Sequence, residues 1–149
     1  QKGYSIDVLI NNAGYAQAGF FEDLSPSDIQ HQLDTNFFGV QHVTRAVLPL
    51  MRQQGFGTII NISSISGLTS TPGIGAYNAS KWALEGFSES LYFELIPFGI
   101  KVYLIEPGIF ETNIIRSNKI FSGNMNNPQS PYYALSQHLL TLFQKNTQK

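Results

Sequence analysis

The sequence predicts an α/β fold built around a parallel β-sheet. Apolar, β-branched runs of strand length alternate along the chain with amphipathic segments of helix length. This alternation is typical of βαβ units, whose right-handed crossovers place successive strands side by side in one parallel sheet. The 149 residues, 42% of them hydrophobic, suffice for one core, so residues 1–149 are expected to form a single domain.

The predicted strands are short apolar runs without polar alternation, as expected for strands buried on both faces. They cover Ile6–Asn11, Thr58–Ser63 and Lys101–Ile105. Each is followed by polar or glycine-containing sequence, which places a loop at the carboxyl end of the strand.

The predicted helices carry apolar residues at helical spacing. They cover Ser27–Gln54, about Ala76–Ile96, and a segment near Tyr132–Gln144. Ser25 or Ser27 can cap the first helix, with Pro26 in its first turn, and Pro97 and Gly99 end the second. The long segment between the third strand and the last helix is predicted to be irregular.

Composition and charge narrow the range of functions. The net charge of −1 gives no basic surface for nucleic acid or for an anionic membrane, and no apolar run approaches the roughly 20 residues of a membrane span. Cys is absent, and His31, His42 and His138 are far apart, so we expect neither disulfides nor a metal site. We expect a cytoplasmic protein that acts on a small molecule.

Tyr77 and Lys81 lie four residues apart on the second predicted helix, so a phenol and an ammonium share one face. A phenol titrates near pH 10 in isolation, and a positive charge beside it favours the phenolate. The pair could therefore exchange protons at neutral pH, as a general acid/base does. The same spacing also occurs between solvated neighbours on ordinary helices.

Further polar residues are expected near this pair. Ser64 follows the second strand, Asn36 lies within the first predicted helix, and the run Asn11-Asn12-Ala13-Gly14 closes the first strand. Ligand sites of open α/β sheets form at the carboxyl ends of strands. The sequence therefore predicts a site that includes Tyr77.

These motifs resemble those of the short-chain dehydrogenases/reductases. The similarity covers about residues 5–115 and consists of Asn11-Asn12-Ala13-Gly14, Asn36, Ser64, Tyr77-x-x-x-Lys81 and Pro107-Gly108, in the family's order and at its intervals. Within the family, the sequence looks most like the single-domain branch that contains 17β-hydroxysteroid and retinol dehydrogenases. The resemblance implies a Rossmann-like, doubly wound parallel sheet in three layers, α/β/α.

The resemblance also implies catalytic roles. Tyr77 would exchange a proton with the substrate oxygen while a nicotinamide cofactor moves a hydride at the adjacent carbon. Lys81 would lower the pKa of Tyr77 and reach the nicotinamide ribose. Asn36, in a helix that needs a local kink at that point, would hold with its backbone carbonyl a water that links Lys81 to solvent. An ordinary helix-interior Asn is the alternative reading of this residue.

Ser64 would hydrogen-bond the substrate oxygen and hold it close to the phenol. Ser63 and Ser66 are its rivals for this role. The thirteen-residue interval to Tyr77 favours Ser64.

The expected cofactor contacts follow the first and third strands. Residues that resemble the family's cofactor-binding segments, besides Tyr77 and Lys81, are Asn11, Ala13, Gly14, Pro107, Gly108, Ile109 and Thr112. Gly14 would let the backbone approach a ligand, or would serve only the turn. Asn12 is expected to tie neighbouring strands together instead.

The family's first turn, Thr-Gly-x-x-x-Gly-x-Gly, is absent from the sequence. Its backbone N–H groups and the following helix N-terminus hold the cofactor pyrophosphate. The chain opens at Gln1 and soon reaches what resembles the family's fourth strand, so we expect a C-terminal catalytic part that lacks the first strands. The residue that selects the cofactor would follow the family's second strand, which leaves NAD or NADP open.

About residues 113–145 correspond to the substrate lid of the family. Apolar and aromatic side chains there favour a hydrophobic alcohol or ketone, unless they pack the lid on its own sheet. These residues are Phe121, Tyr132, Tyr133 and Leu135.

Two functions are considered. The first is an NAD(P)-dependent oxidoreductase, for which the resemblance implies a homodimer or homotetramer. The second is a noncatalytic remnant that acts, if at all, by pairing its two long helices with another subunit. The presence together of Asn36, Ser64, Tyr77 and Lys81 favours the first.

Overall fold

The structure is a computed structural model that describes residues 4–108 and 119–145. Its strands are β1 (Val8–Asn11), β2 (Ala16–Ala18), β3 (Gly57–Ile62), β4 (Ile100–Ile105) and β5 (Lys119–Phe121). Its α-helices are α1 (Pro26–Leu33), α2 (Gly39–Gln54), α3 (Gly75–Leu95) and α4 (Tyr133–Lys145).

The main sheet has the strand order β1-β3-β4, and all its described pairs are parallel. Val8 pairs with Thr58, and Gly57 pairs with Ile100, so the carboxyl ends of the three strands lie at the same edge. The predicted parallel α/β sheet is confirmed. The loops that carry the expected site residues therefore leave the sheet side by side.

The first strand begins two residues later than the sequence predicts. The Gln54 side chain, at the end of α2, accepts a hydrogen bond from the Ile6 N–H at 3.0 Å and donates one to the Ile6 carbonyl at 3.2 Å. Because a side chain satisfies these backbone groups, this residue lies outside the strand.

The predicted helix Ser27–Gln54 is two α-helices joined by a π turn, Asp34–Phe38. Ser25 caps its start: the Ser25 hydroxyl accepts from the Asp28 N–H, and the Asp28 carboxylate accepts from the Ser25 N–H. At its end Gly55 adopts φ 77°, a left-handed conformation that favours glycine. The local irregularity expected at Asn36 is this π turn, which interrupts the regular ladder of helix hydrogen bonds.

The hydrophobic core lies between the main sheet and helices α2 and α3. Its buried members are Met51, Ile59, Leu91, Leu95, Ile100 and Val102. Among the described residues, the opposite face of the sheet carries apolar side chains that are about half exposed, including Val8, Ile10, Tyr103 and Ile105. The described helices thus fix the sheet from one side and leave apolar surface on the other.

The small parallel sheet of β2 and β5 was not expected, because strands of three residues are too short to show a pattern in the sequence. A 3₁₀ turn, Gly123–Asn126, also lies in the segment predicted to be irregular. No helix among residues 4–108 and 119–145 is long and apolar enough to cross a membrane.

Candidate active site

Helix α3 places Tyr77 and Lys81 on its buried face, in its first two turns. The helix packs closely because small polar residues line that face: Ser80 and Ser88 are fully buried, and their hydroxyls donate to the Tyr77 and Leu84 carbonyls at 2.7 Å. Tyr77 and Lys81 are 6% and 4% exposed, so both functional groups are largely withdrawn from water. The expected pairing of phenol and ammonium on one helix face is present.

Lys81 is held beneath the end of β3. Its Nζ atom donates to the Ile62 carbonyl at 2.8 Å and lies 5.7 Å from the centre of the Tyr77 ring. Burial lowers the pKa of Lys81 to about 8, and the negative charge of Glu85, one turn along the helix, partly opposes that shift. An ammonium with this pKa can lose or gain a proton near neutral pH.

The Tyr77 phenol does not have the lowered pKa that the sequence led us to expect. Burial raises the pKa of Tyr77 above its ordinary value, and hydrogen bonding with the Ser64 side chain lowers it in part. Desolvation of the phenol is the larger of these two effects, so the pKa of Tyr77 stays above its ordinary value. The Ser64 side chain is the neighbour whose hydrogen bond favours the phenolate.

Ser64 and Ser63 differ clearly in their surroundings. Ser64 is partly exposed, its hydroxyl accepts from the Ser66 N–H at 3.1 Å, and it lies close enough to Tyr77 to affect its pKa. Ser63 is 4% exposed, and its hydroxyl has no hydrogen-bond partner among the described residues. Of these two serines, Ser64 is the one that lies near the Tyr77 hydroxyl.

Asn36 is fully buried in the π turn, and its side chain forms hydrogen bonds to two other segments. Its amide donates to the Tyr15 carbonyl at 3.0 Å and to the Ser80 hydroxyl at 3.1 Å, while its Oδ1 accepts from the Tyr15 N–H at 3.2 Å. Asn36 therefore ties the segment after β1 to helix α3, which carries Tyr77 and Lys81. The role expected of its backbone carbonyl remains a prediction.

Gln32 also binds the segment after β1, a role that the sequence did not lead us to expect. It lies one turn before Asn36, and no part of it is exposed. Its Oε1 accepts from the Gln17 N–H at 2.7 Å and its Nε2 donates to the Tyr15 carbonyl at 2.9 Å. A polar residue four positions before another on the same helix face was the available signal.

Asn11 ties the strands together, the role we had expected of Asn12. The Asn11 amide donates to Asn61 on β3 at 2.8 Å and to Thr44 on α2 at 3.2 Å. The Asn61 amide in turn donates to the Ser88 hydroxyl on α3 at 2.8 Å. Asn12 is exposed, so the expectation for Asn12 is wrong, and the side chain of Asn11 is committed to the protein interior.

Gly14 packs against Asn36. A Cβ atom at this position would lie 3.2 Å from the Asn36 Oδ1 atom, and Gly14 does not have a positive φ. Its lack of a side chain therefore makes room for the Asn36 amide, a reason that the sequence did not suggest.

Ala13, Pro107 and Gly108 lie in the loops at the carboxyl edge of the main sheet. Ala13 is exposed after β1, and a Cβ atom added to Gly108 after β4 would meet no described atom within 4 Å. The Pro107 carbonyl accepts from the Ile65 N–H at 3.1 Å, which joins the loops after β4 and β3. Ile109 and Thr112 lie outside the described residues.

Of the expected lid residues, Tyr132 packs within the protein. Its ring stacks on Phe20, with centroids 5.1 Å apart and an angle of 10° between the planes. Phe121, Tyr133 and Leu135 are 41%, 37% and 55% exposed. The aromatic character of this segment therefore serves its own packing at Tyr132 and leaves apolar surface at the other three.

Comparison with protein families gives the same assignment as the motifs. A family model described as short chain dehydrogenase matches residues 1–121 of the 149. The chain belongs to the short-chain dehydrogenase family.

Curated relatives are similar over most of this chain. It is 50% identical to an uncharacterized oxidoreductase of Bacillus subtilis over 143 residues, which are 95% of this chain and 50% of the relative. It is 49% identical to a 3-ketodihydrosphingosine reductase of Bacteroides thetaiotaomicron over 115 residues, which are 77% of this chain and 43% of the relative. The chain thus spans about half the length of these relatives.

Solved structures confirm the Rossmann-like fold. A short-chain dehydrogenase from Streptomyces avermitilis is 38% identical with a TM-score of 0.80, over 97% of this chain and 54% of that one. A gluconate 5-dehydrogenase from Burkholderia cenocepacia in complex with NADP and tartrate is 32% identical with a TM-score of 0.74, over 78% and 46%. An NAD⁺-bound xylitol dehydrogenase is 36% identical with a TM-score of 0.67, over 70% and 40%.

Proposed function

We propose that this chain provides the catalytic part of an NAD(P)-dependent oxidoreductase that interconverts an alcohol and a ketone. The observation that carries the proposal is the grouping of Ser64, Tyr77 and Lys81 at the carboxyl end of β3. The relatives named above support it, because their names describe oxidoreductases and dehydrogenases.

In this proposal Tyr77 is the general acid/base. Ser64 donates a hydrogen bond to the substrate oxygen and so holds it beside the Tyr77 hydroxyl. In ketone reduction Tyr77 gives its proton to that oxygen, and in alcohol oxidation it takes the proton away. Lys81, with a pKa of about 8, compensates the charge that develops on the Tyr77 phenolate. The bound nicotinamide supplies or accepts the hydride at the substrate carbon.

The residues present fit such a cofactor, with the segment after β1 on its adenosine side and the loop after β4 on its nicotinamide side. Ala13 is exposed, and no described atom lies within 4 Å of the position that a Cβ atom on Gly108 would take. We propose that Ala13, Gly14, Pro107 and Gly108 line the cofactor with their backbones, that Asn11 does so only through its backbone, and that Ile109 and Thr112 continue the same loop. Neighbours hold NADP in one case and NAD⁺ in another, so either cofactor is proposed.

The substrate is proposed to be a hydrophobic ketone or alcohol. The exposed apolar side chains of Phe121, Tyr133 and Leu135 support this class. One relative's name also states a ketone substrate, 3-ketodihydrosphingosine. We propose residues 113–145 as the lid that contacts the apolar part of the substrate.

The complete enzyme is proposed to be a cytoplasmic homodimer or homotetramer. The outer side of α3 supports association, because Trp82, Tyr92 and Phe93 are 51%, 46% and 62% exposed there. The same surface favours the second candidate, a noncatalytic subunit that acts through helix pairing. An oligomer that turns over none of the ketones or alcohols tested would favour that candidate.

The first test replaces the proton donor in the full-length product of the gene that encodes this chain. Tyr77→Phe removes the hydroxyl and keeps the buried ring, so kcat should fall by about 10²-fold or more. Lys81→Met should cause a loss of similar size. Steady-state kinetics with either nicotinamide cofactor measure both, and a kcat like that of the wild type in Tyr77→Phe would overturn the mechanism.

Ser64 and Ser63 provide a matched pair for a second test. Ser64→Ala should lower kcat/KM by about 10²-fold, as the loss of an oxyanion-hole donor does. Ser63→Ala should have a mild effect, because its hydroxyl has no partner among the described residues. Kinetics in which Ser63→Ala is the more damaging change would reverse the assignment.

A further inference from the structure

Asp23 is a buried acidic residue that the catalytic mechanism does not use. It lies in the short 3₁₀ turn Phe21–Asp23 after β2 and is 5% exposed. Its Oδ1 atom accepts from the Ser130 hydroxyl at 2.7 Å, whereas its Oδ2 atom has no hydrogen-bond partner among the described residues. Burying a carboxylate with one oxygen atom unpaired costs free energy of folding.

The backbone of Asp23 is engaged by the same distant segment. The Asp23 carbonyl accepts from the Ser122 hydroxyl at 2.6 Å and from the Asn124 amide at 3.3 Å. Asp23, Ser122, Asn124 and Ser130 together are called the Asp23 clamp below. The clamp joins two parts of the chain about a hundred residues apart in sequence.

Neighbouring contacts reinforce the clamp. Strand β2 pairs with β5, and the Ser122 N–H donates to the Ala18 carbonyl at 2.8 Å. On the outer side Phe20 stacks on Tyr132, whose hydroxyl donates to Glu22 at 3.0 Å. The bond from Ser122 to the Asp23 carbonyl is buried and those from Asn124 and Ser130 are partly buried, whereas the bond between Tyr132 and Glu22 is exposed. The contacts of the clamp are therefore the ones better shielded from water.

The elements on either side of the clamp, the end of β2 and helix α4, contact the loop that begins helix α3. The Gly19 N–H donates to the Gly73 carbonyl at 2.8 Å, four residues before Tyr77. Gly73 has φ 79°, and a Cβ atom there would collide with the Leu139 side chain of α4. A substrate that extends from the Tyr77 hydroxyl past this loop would therefore meet the segment that Asp23 holds.

We propose that Asp23 is a positioning residue that fixes residues 119–137 beside the catalytic helix and thereby sets the affinity for long apolar substrates. This inference rests on the proposed function. Because Asp23 acts through Ser122 and Ser130, it should affect the distant part of the substrate and leave the proton transfer at Tyr77 unchanged. A short ketone, held by Ser64 and Tyr77 alone, should not depend on it.

The experiment uses the full-length gene product and a series of 2-alkanones of increasing chain length. Asp23→Ala should raise KM about tenfold for long ketones, the effect of losing the partly buried hydrogen bond from Ser130, and change it little for short ones. The kcat should stay within about twofold of the wild type, because Tyr77 and Ser64 keep their places. Ser130→Ala should reproduce the same dependence on chain length.

Two variants separate this role from a general loss of structure. Asp23→Asn keeps an oxygen acceptor for Ser130 and should restore the KM of the wild type. Glu22→Ala removes only the exposed bond from Tyr132 and keeps the ring stack of Phe20 on Tyr132, so it serves as the matched control. Equal effects of Asp23→Ala on short and long ketones, or an Asp23→Asn variant as impaired as Asp23→Ala, would overturn the proposal.

Hydrogen exchange gives a readout that does not require turnover. Asp23→Ala should speed amide exchange in residues 119–137 and leave β3 protected, whereas Asp23→Asn should not. Unchanged amide exchange in Asp23→Ala would show that the Asp23 carboxylate does not hold residues 119–137, and it would overturn the proposal. A wild-type protein with this exchange pattern but no activity on any ketone or alcohol would instead overturn the proposed function.

Discussion

At the scale of single residues, Lys81 has a pKa that its environment lowers strongly. Burial alone would favour its neutral form, and the charge of Glu85 opposes this, which leaves a pKa of about 8. An unfolded lysine keeps its proton up to its ordinary value of 10.5. The unfolded state therefore binds more protons between about pH 8 and 10.5, and the free energy of unfolding should rise with pH across that range.

Direct titration of Lys81 checks this balance. In the cofactor-free full-length product, NMR of isotope-labelled lysine side chains should show a midpoint near pH 8, in a resonance that Lys81→Met removes. Glu85→Gln should move the midpoint lower, because the carboxylate that favours the ammonium is gone. Glu89→Gln, an exposed change one turn farther along α3, is the control. An unchanged midpoint in Glu85→Gln would contradict the account.

At the scale of elements, side-chain amides of the first long helix hold the segment that follows β1. Gln32 satisfies the Gln17 N–H in a buried contact and shares the partly buried Tyr15 carbonyl with Asn36. Gln32→Ala should lower the free energy of unfolding by about 2–4 kcal/mol, because two hydrogen bonds are lost and a buried N–H is left unpaired. Chemical denaturation of the full-length product measures this.

Gln30→Ala is the matched control for that variant. Gln30 lies on the same helix, is exposed, and bonds only to the Asp34 side chain among the contacts described. Its loss should cost less than about 0.5 kcal/mol, as for most surface changes. Equal losses in the two variants would show that the buried amide pair does not hold this segment.

The sequence predicted the regular elements well because their patterns are local. The strands that end at Asn11 and Ile62 and the helix that carries Tyr77 and Lys81 follow from apolar runs and spacing along the chain. The short pair β2 and β5, the Asn11–Asn61 tie and the Asp23 clamp could not be foreseen, since they join residues distant in sequence. The direction of the Tyr77 pKa was missed for the same reason, because burial is a property of the folded chain.

At the scale of the whole molecule, the exposed apolar surface is the feature that most affects behaviour in solution. Strand β1 pairs only with β3 among the described residues, and its Val8 and Ile10 side chains are 51% and 59% exposed. An unpaired, apolar strand edge is a template for pairing with another chain. The 149-residue polypeptide alone should therefore self-associate, which light scattering and analytical ultracentrifugation would detect.

A charged substitution at the edge of β1 tests whether strand pairing causes the self-association. Ile10→Lys should reduce the association of the 149-residue polypeptide, because a charged side chain at a strand edge opposes pairing. Phe21→Lys changes an apolar residue that is 79% exposed outside the main sheet, and it should leave association unchanged. Equal effects of the two changes would mean that general surface hydrophobicity drives association.

The same polypeptide should bind cofactor weakly and have no activity of its own. Its sequence contains no Gly-rich pyrophosphate turn. The 149-residue polypeptide therefore lacks the helix N-terminus that would offset the negative charge of the cofactor. The nicotinamide-side contacts then have to offset an association cost of at least about 4 kcal/mol, and the dissociation constant for NAD(H) or NADP(H) should be about millimolar or weaker. Isothermal titration with both cofactors measures this. A monodisperse monomer would show that the exposed edge of β1 does not drive association. A micromolar dissociation constant would show that cofactor binding does not need the Gly-rich turn.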